Sequence, residues 1–324
     1  MIATVAAVVL TVMLLTALIV ALVGLVRRFA AQHPADDGGE AARAARRHEA
    51  TMSAIALGAA AVTALTLVTL PVTWPDRASA PGLAQTLAPF AVALVFCAVR
   101  AVGERTWPRP AGEVRTAPLG RRSVRSLGGA RLVAVLATAG AVVAALVATG
   151  LTADPTGRAF STGPVALPDG GTIAGSSGPY PGWAYGVPML LGLAVALGAT
   201  LVALTAIVRR PPLHGVPARH DDAVRATSAA RLLGAVQVCL GLALGGTLML
   251  AGSAVQSQGH HLLLDDVPTQ GLVSIGAVVG FSGVAIALAS LVAGLFAASA
   301  RPASPTAPST PPPSEAAPTA PATA

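Results

Sequence analysis

The chain has 324 residues, 54% of them hydrophobic and only 11% charged, with a net charge of +7 and a mean hydropathy of +0.70. A soluble domain carries charge on about a quarter of its residues, so water is excluded as the solvent for most of this chain and lipid is expected instead. The basic balance would suggest nucleic acid in a soluble protein, but its placement along the chain is that of a topology code, and no nucleic-acid partner is expected.

A bilayer core about 30 Å thick needs roughly 20 apolar residues at the helical rise of about 1.5 Å each. Seven such runs occur, at about 2–26, 53–74, 83–103, 132–152, 186–208, 232–254 and 271–298. The first begins "MIATVAAVVL" with no basic residue ahead of it and is followed by Arg27 and Arg28. A cleaved secretory signal has the opposite polarity, so the run is expected to be a retained span with an exported amino terminus. The later runs then read as three helical hairpins. Arginines alternate with them: nineteen of the 21 fall on the segments this topology places inside, and only Arg77 and Arg158 fall outside. That asymmetry is the positive-inside pattern, and it supports an odd number of spans. Every basic residue is arginine, and alanine, valine and glycine fill the spans, a composition expected of a high-G+C bacterium. Cys97 and Cys239 lie inside predicted spans and are expected to be small apolar fillers.

Taken in chain order, the loops have distinct characters. Residues 27–52 end in "AARAARRHEA", which extends the second helix below the membrane. Residues 104–131 are arginine-rich and interrupted by prolines, hence an irregular loop facing anionic inner-leaflet lipid. The exported segment 153–185 contains "VALPDGGTIAG", a turn between two β-prone runs and so a small hairpin. Tyr180, Trp183 and Tyr185 follow at the start of the fifth span, as an interfacial aromatic belt does. Residues 299–324, rich in proline, alanine, serine and threonine, cannot bury a core and are expected to be a disordered cytoplasmic tail. The expected fold is therefore an all-α integral membrane protein: a polytopic domain over 1–298 with one leading span and three hairpins, and a tail over 299–324.

Four places carry candidate chemistry. In "GHHLLLDDVPTQ", His260, His261, Asp265 and Asp266 are metal-ligand types on the exported side. A metal site wants three or four converging ligands. Adjacent histidines diverge on a helix, and only His261 and Asp265, four apart, share a face. The preferred reading is structural, with Asp266 capping a helix that Pro268 opens. "RRHE" at 46–49 and "RHDD" at 219–222 combine histidine with carboxylates, as proton transfer requires, but the favoured reading is a pair of solvated helix starts. Arg100 and Glu104, four apart, are expected to pair and snorkel at the inner end of the third span. Gly241 and Gly245, with Gly276 and Gly280, place glycines one turn apart on the last two spans and predict that these helices pack closely. Gln237, Thr247, Thr63, Thr66 and Gln85 are available for hydrogen bonds between helices.

No nucleotide-binding glycine loop, HExxH motif or pair of intramembrane aspartates is present, so no cofactor is expected. Ionisable residues are missing from the middle of every predicted span, where an ion-coupled carrier would keep them. The expectation is a cell-membrane component without chemistry of its own, acting through a membrane-protein partner. A permease for an uncharged or apolar solute is the alternative, and a metal-responsive sensor or membrane enzyme the third.

Overall fold

The computed structural model describes residues 39–73, 82–106, 123–166, 170–211, 218–264 and 269–298. Within them lie six helices: α1 (Gly39–Thr73), α2 (Leu83–Arg105), α3 (Val124–Leu151), α4 (Trp183–Arg209), α5 (Ala218–Leu264) and α6 (Gln270–Ala298). Each contains a stretch long and apolar enough to cross a membrane. The first predicted span, 2–26, and the tail, 299–324, lie outside the described residues.

The helices run alternately up and down between an arginine-rich end and an end that carries the 152–182 loop. At the loop end, β1 (Phe160–Ser161) pairs antiparallel with β4 (Ser176–Ser177), and β2 (Val165–Ala166) with β3 (Thr172–Ile173). Val165 therefore faces Ile173 across the predicted turn. Gly157, in the left-handed region at φ 69°, lets this loop reach the start of α4, where the Ala184 amide donates to the Gly157 carbonyl.

Several helices exceed their predicted spans. The longest, α5, has 47 residues and reaches about 70 Å at about 1.5 Å per residue, well beyond a bilayer core. Its two ends are therefore available to pack against the polar segments at both ends of the bundle. Ser123 opens α3 earlier than expected: its hydroxyl accepts from the Ser126 amide while the Ser126 hydroxyl accepts from the Ser123 amide, a reciprocal cap. Gly129, at φ 49°, then breaks α3 into a short leading turn and the long apolar segment. The last helix starts at Gln270, later than a cap at Asp266 predicts; the Thr269 carbonyl accepts from the Leu272 and Val273 amides, while Asp265 and Asp266 lie outside the described residues.

At the centre, buried apolar side chains from α1 to α5 form one cluster. It runs from Ile207 and Leu232 at the arginine-rich end, through Phe90, Cys97, Val142 and Leu240, to Leu146 and Tyr185 at the loop end. The outer faces are apolar and open, with Phe281 and Phe296 of α6 and Leu191 of α4 among the exposed side chains. An apolar surface of this kind around an apolar core suits a lipid solvent.

Candidate functional site

The most distinctive chemistry of the molecule is a buried chain of charges at the arginine-rich end. Starting from α5, the Arg225 Nε donates to Asp221 Oδ2 at 2.9 Å, and Asp221 Oδ1 stands 3.9 Å from Arg210 just past the end of α4. Arg210 lies 3.5 Å from Glu104 of α2, whose other carboxylate oxygen is 3.8 Å from Arg100. Arg100 donates to Glu49 of α1 at 2.7 Å and to the Ser53 hydroxyl at 3.1 Å. The chain returns to α5 at Arg231, 3.8 Å from the same Glu49 oxygen. Positive and negative groups alternate at every step, and the path joins four helices.

Local sequence explains how each member is placed. Arg225 and Asp221 are four apart, so they share one face of α5. The same guanidinium donates to the carbonyls of Ile207 at 2.8 Å and Val208 at 3.2 Å. These are among the last carbonyls of α4, which lack helical partners and carry the negative end of its dipole. Arg225 thus ends one helix and fastens it to another. Arg100 and Glu104 are likewise four apart on α2, and the His48 ring nitrogen lies 2.9 Å from the Gly103 carbonyl, which holds α1 against α2 just below them.

Burial is nearly complete. The side chains of Arg210 and Arg225 are 0% and 1% exposed, and only Arg231, at 32%, meets the surface. Burial pulls the Arg210 guanidinium below its ordinary value, with Glu104 and Asp221 opposing that shift and Arg225 reinforcing it. Two sequence expectations are corrected here. Glu49 and Asp221 are not solvated helix starts: α1 and α5 continue past the apolar runs and pack against α2 and α4 at these positions, so both carboxylates leave water. Arg100 pairs with Glu104 as expected but does not snorkel: its side chain is buried, and its nearer partner is Glu49 on a neighbouring helix.

Charges buried in this way are poor sources of stability, because desolvation offsets most of their attraction; removing one partner is far more costly than never having the pair. Their alternation is well suited to fixing which helices meet and in what register. The residues needed for the chain were visible in the sequence, but they are separated by up to 182 positions, from Glu49 to Arg231. Nothing local in the sequence signals that they converge.

The predicted glycine contacts belong to a second feature, the α5–α6 seam. Because the helices run antiparallel, Gly241 faces Ser290, Gly245 faces Gly283 and Ala287, and Gly276 and Gly280 face Gly252 instead of Gly241 and Gly245. A Cβ on Gly283 would lie 2.5 Å from the Gly245 carbonyl oxygen, and one on Gly276 would lie 2.7 Å from that of Gly252, so the backbones touch directly. On α6 the facing positions are Gly276, Gly280, Gly283, Ala287, Ser290, Gly294 and Ala297, spaced alternately four and three. That is a heptad seam made of small residues, and its period keeps the two helices in contact along their length. Two glycine pairs signalled the contact; the seven-residue spacing of small side chains was the fuller signal.

His260 and His261 both stand exposed on the last turns of α5, whereas the next residue, Leu262, is buried. Among the described residues, no three His, Cys, Asp or Glu side chains come together as ligands for a metal ion. Of the polar residues expected between helices, Gln237 donates to Thr138 of α3 at 2.8 Å. Thr63, Thr66 and Thr247 return their hydroxyls to carbonyls of their own helices, and Gln85 keeps a buried carbonyl oxygen without a partner.

The chain matches no protein-family model, no curated protein and no solved structure, so the charge chain, the seam and the apolar core carry the functional argument by themselves.

Proposed function

We propose that the chain is a multi-pass protein of a bacterial cell membrane, crossing it seven times with its amino terminus exported and its carboxyl terminus in the cytoplasm, and that it serves as a non-catalytic component docking a membrane-protein partner. The distribution of arginines supports the orientation, since guanidinium groups are retained on the cytoplasmic side. Reporter fusions after Ala174 and after Ala298 are expected on opposite faces; reporters on the same face would refute the topology.

The observation that carries the functional reading is the continuous apolar cluster through the middle of the bundle. A carrier needs a water-accessible path to the midplane, whereas a component that acts by being bound can be packed solid. Purified protein in proteoliposomes is expected to give no more flux of small uncharged solutes than empty vesicles, and to co-purify with a partner from native membranes. Solute flux that depends on the protein would overturn this reading in favour of a permease. The specific observation on the permease side is Pro89 and Pro188 inside α2 and α4, which interrupt backbone hydrogen bonding where a moving helix would bend. For the sensor reading, titration calorimetry with zinc or copper on wild type and the His260→Ala/His261→Ala variant is decisive: a heat lost in the variant would establish a metal site.

A further inference from the structure

One face of α3 is open and made of small side chains. Ala130, Ala134, Ala137, Ala141, Ala144 and Ala148 are all exposed, spaced alternately four and three, so they form a stripe along the helix. Beside it, a Cβ on Gly140 would meet nothing within 4 Å. In contrast, α4 turns Val187, Leu191 and Val202 outward, and α6 turns Phe281, Leu288 and Phe296 outward. Small side chains give lipid little to pack against and contribute most where they let two backbones approach. Within this molecule, small residues with the same spacing on α6 are covered by α5.

A second observation concerns charge at the arginine-rich end of the same helix. Arg131 is exposed and stands three residues before Ala134, at the foot of the stripe, and α3 contains no carboxylate of its own. Its local sequence recurs in α5: Val124-Arg125 and Ala130-Arg131-Leu132 return as Val224-Arg225 and Ala230-Arg231-Leu232. Both helices begin their apolar runs just after the second arginine, so Arg131 and Arg231 occupy matching positions. Arg231 meets Glu49 of a neighbouring helix at 3.8 Å. Arg131 has the same setting but faces out of the bundle.

We infer that this face of α3 docks one transmembrane helix of a different membrane protein, a helix with small residues along the contact and a carboxylate at its cytoplasmic end opposite Arg131. The stripe admits the partner's backbone over several turns, and Arg131 fixes its register by a charge-assisted contact. Charge complementarity selects a different protein over a second copy. Two copies share one orientation in the membrane, so a symmetric contact through α3 would oppose Arg131 to Arg131 with no carboxylate between them. The inference rests on the reading of the chain as a component that docks a membrane-protein partner, and it names the surface and the partner's chemistry.

The test uses the full chain in its native membranes, with photoreactive benzoylphenylalanine replacing Val133, exposed beside the stripe, or Phe281, exposed on α6 as the control. Irradiation is expected to join the probe at 133 to one membrane protein, identified by mass spectrometry, whose joined helix ends in a carboxylate on the cytoplasmic side. The probe at 281 should not give that product. Ala137→Leu/Ala144→Leu should remove most of it, and so should Arg131→Glu; changing the partner's carboxylate to arginine should restore it in Arg131→Glu. These side chains are exposed, so the purified variants should keep the wild-type thermal midpoint, which separates lost docking from lost folding. A product of two copies of this chain, lipid adducts alone, equal capture from both probe positions, a joined helix without a carboxylate, or a yield unchanged by Arg131→Glu would overturn the α3 surface. A partner that co-purifies equally with wild type and the α3 variants would remove this surface and leave the docking reading standing, whereas protein-dependent solute flux would remove the docking reading itself.

Discussion

The two ends of the bundle are joined by different chemistry. At the arginine-rich end, buried ions link α1, α2, α4 and α5, each depending on the next. At the loop end neutral links join the described elements: the Thr149 hydroxyl donates to the Pro181 carbonyl at 2.7 Å, Thr152 and Tyr180 share a hydrogen bond, and the Tyr180 ring packs on Phe160 with centroids 5.5 Å apart. A neutral link that is broken exposes one polar group, whereas a broken ionic link strands a charge in the apolar interior. The arginine-rich end should therefore respond to single substitutions far more sharply than the loop end, and the small-residue seam of α5 and α6 should fall between.

The largest effect is expected at Arg225. Replacing it with alanine leaves Asp221 buried against fewer partners and frees the last carbonyls of α4, at a cost of about 3–5 kcal/mol in unfolding free energy. The Asp221→Ala/Arg225→Ala double variant should be less damaged than the two single losses added together, because the stranded charge is gone. Additive losses in detergent unfolding would remove the coupling on which the comparison depends.

A smaller loss follows in the seam. Gly252→Leu drives a side chain into the Gly276 carbonyl and the Gly280 backbone, and overpacking of this kind costs about 1–3 kcal/mol. Gly246 has open space where a Cβ would go, so Gly246→Ala should be neutral or stabilising by up to about 1 kcal/mol. Equal losses at the two positions would show that backbone contact between α5 and α6 is not what matters. Between α3 and α5, Gln237→Leu removes a single hydrogen bond and should cost about 0.6 kcal/mol, at most about 2.

The smallest effect lies in the loop, at Asp154. Its partial burial favours the neutral carboxyl, but the Thr156 hydroxyl and the Ala159 and Arg158 amides donate to the carboxylate and hold its pKa below the ordinary aspartate range. With the folded value below the unfolded one, the stabilisation is complete above the unfolded pKa of about 3.9 and is lost as pH falls through the folded value. Amide exchange at Arg158 and Ala159 should rise over that acidic window in wild type and show no such step in Asp154→Asn. A step in both would place its cause elsewhere.

Much of this architecture could be read from the sequence, for a physical reason. Long charge-free runs such as 132–152 and 186–208 have few alternatives to helix in lipid, because every backbone amide needs a partner within its own segment. Helix ends were harder. Apolarity stops near Leu232, yet α5 begins at Ala218, since its first turns are held by Asp221 and Arg225 rather than by lipid. The charge chain is hidden from the sequence for the same reason. Taken singly, Glu49 and Asp221 look like ordinary solvated helix starts, and only the packing of α1 and α5 against α2 and α4 shows them sharing partners. In the seam, composition disclosed the small residues, but the antiparallel direction of the helices set which glycine meets which.

The central claim is that the charge chain holds α1, α2, α4 and α5 in one arrangement as a structural lock in a solid bundle. Spin labels at Thr51 of α1 and Ala226 of α5, both near the chain, report on it directly by pulsed distance measurement in liposomes, in a Cys97→Ala/Cys239→Ala background. A single narrow distance distribution is predicted, broadening only when Glu104→Gln is introduced. Two populations in the otherwise unaltered chain would contradict the lock and show that this end of the bundle opens and closes.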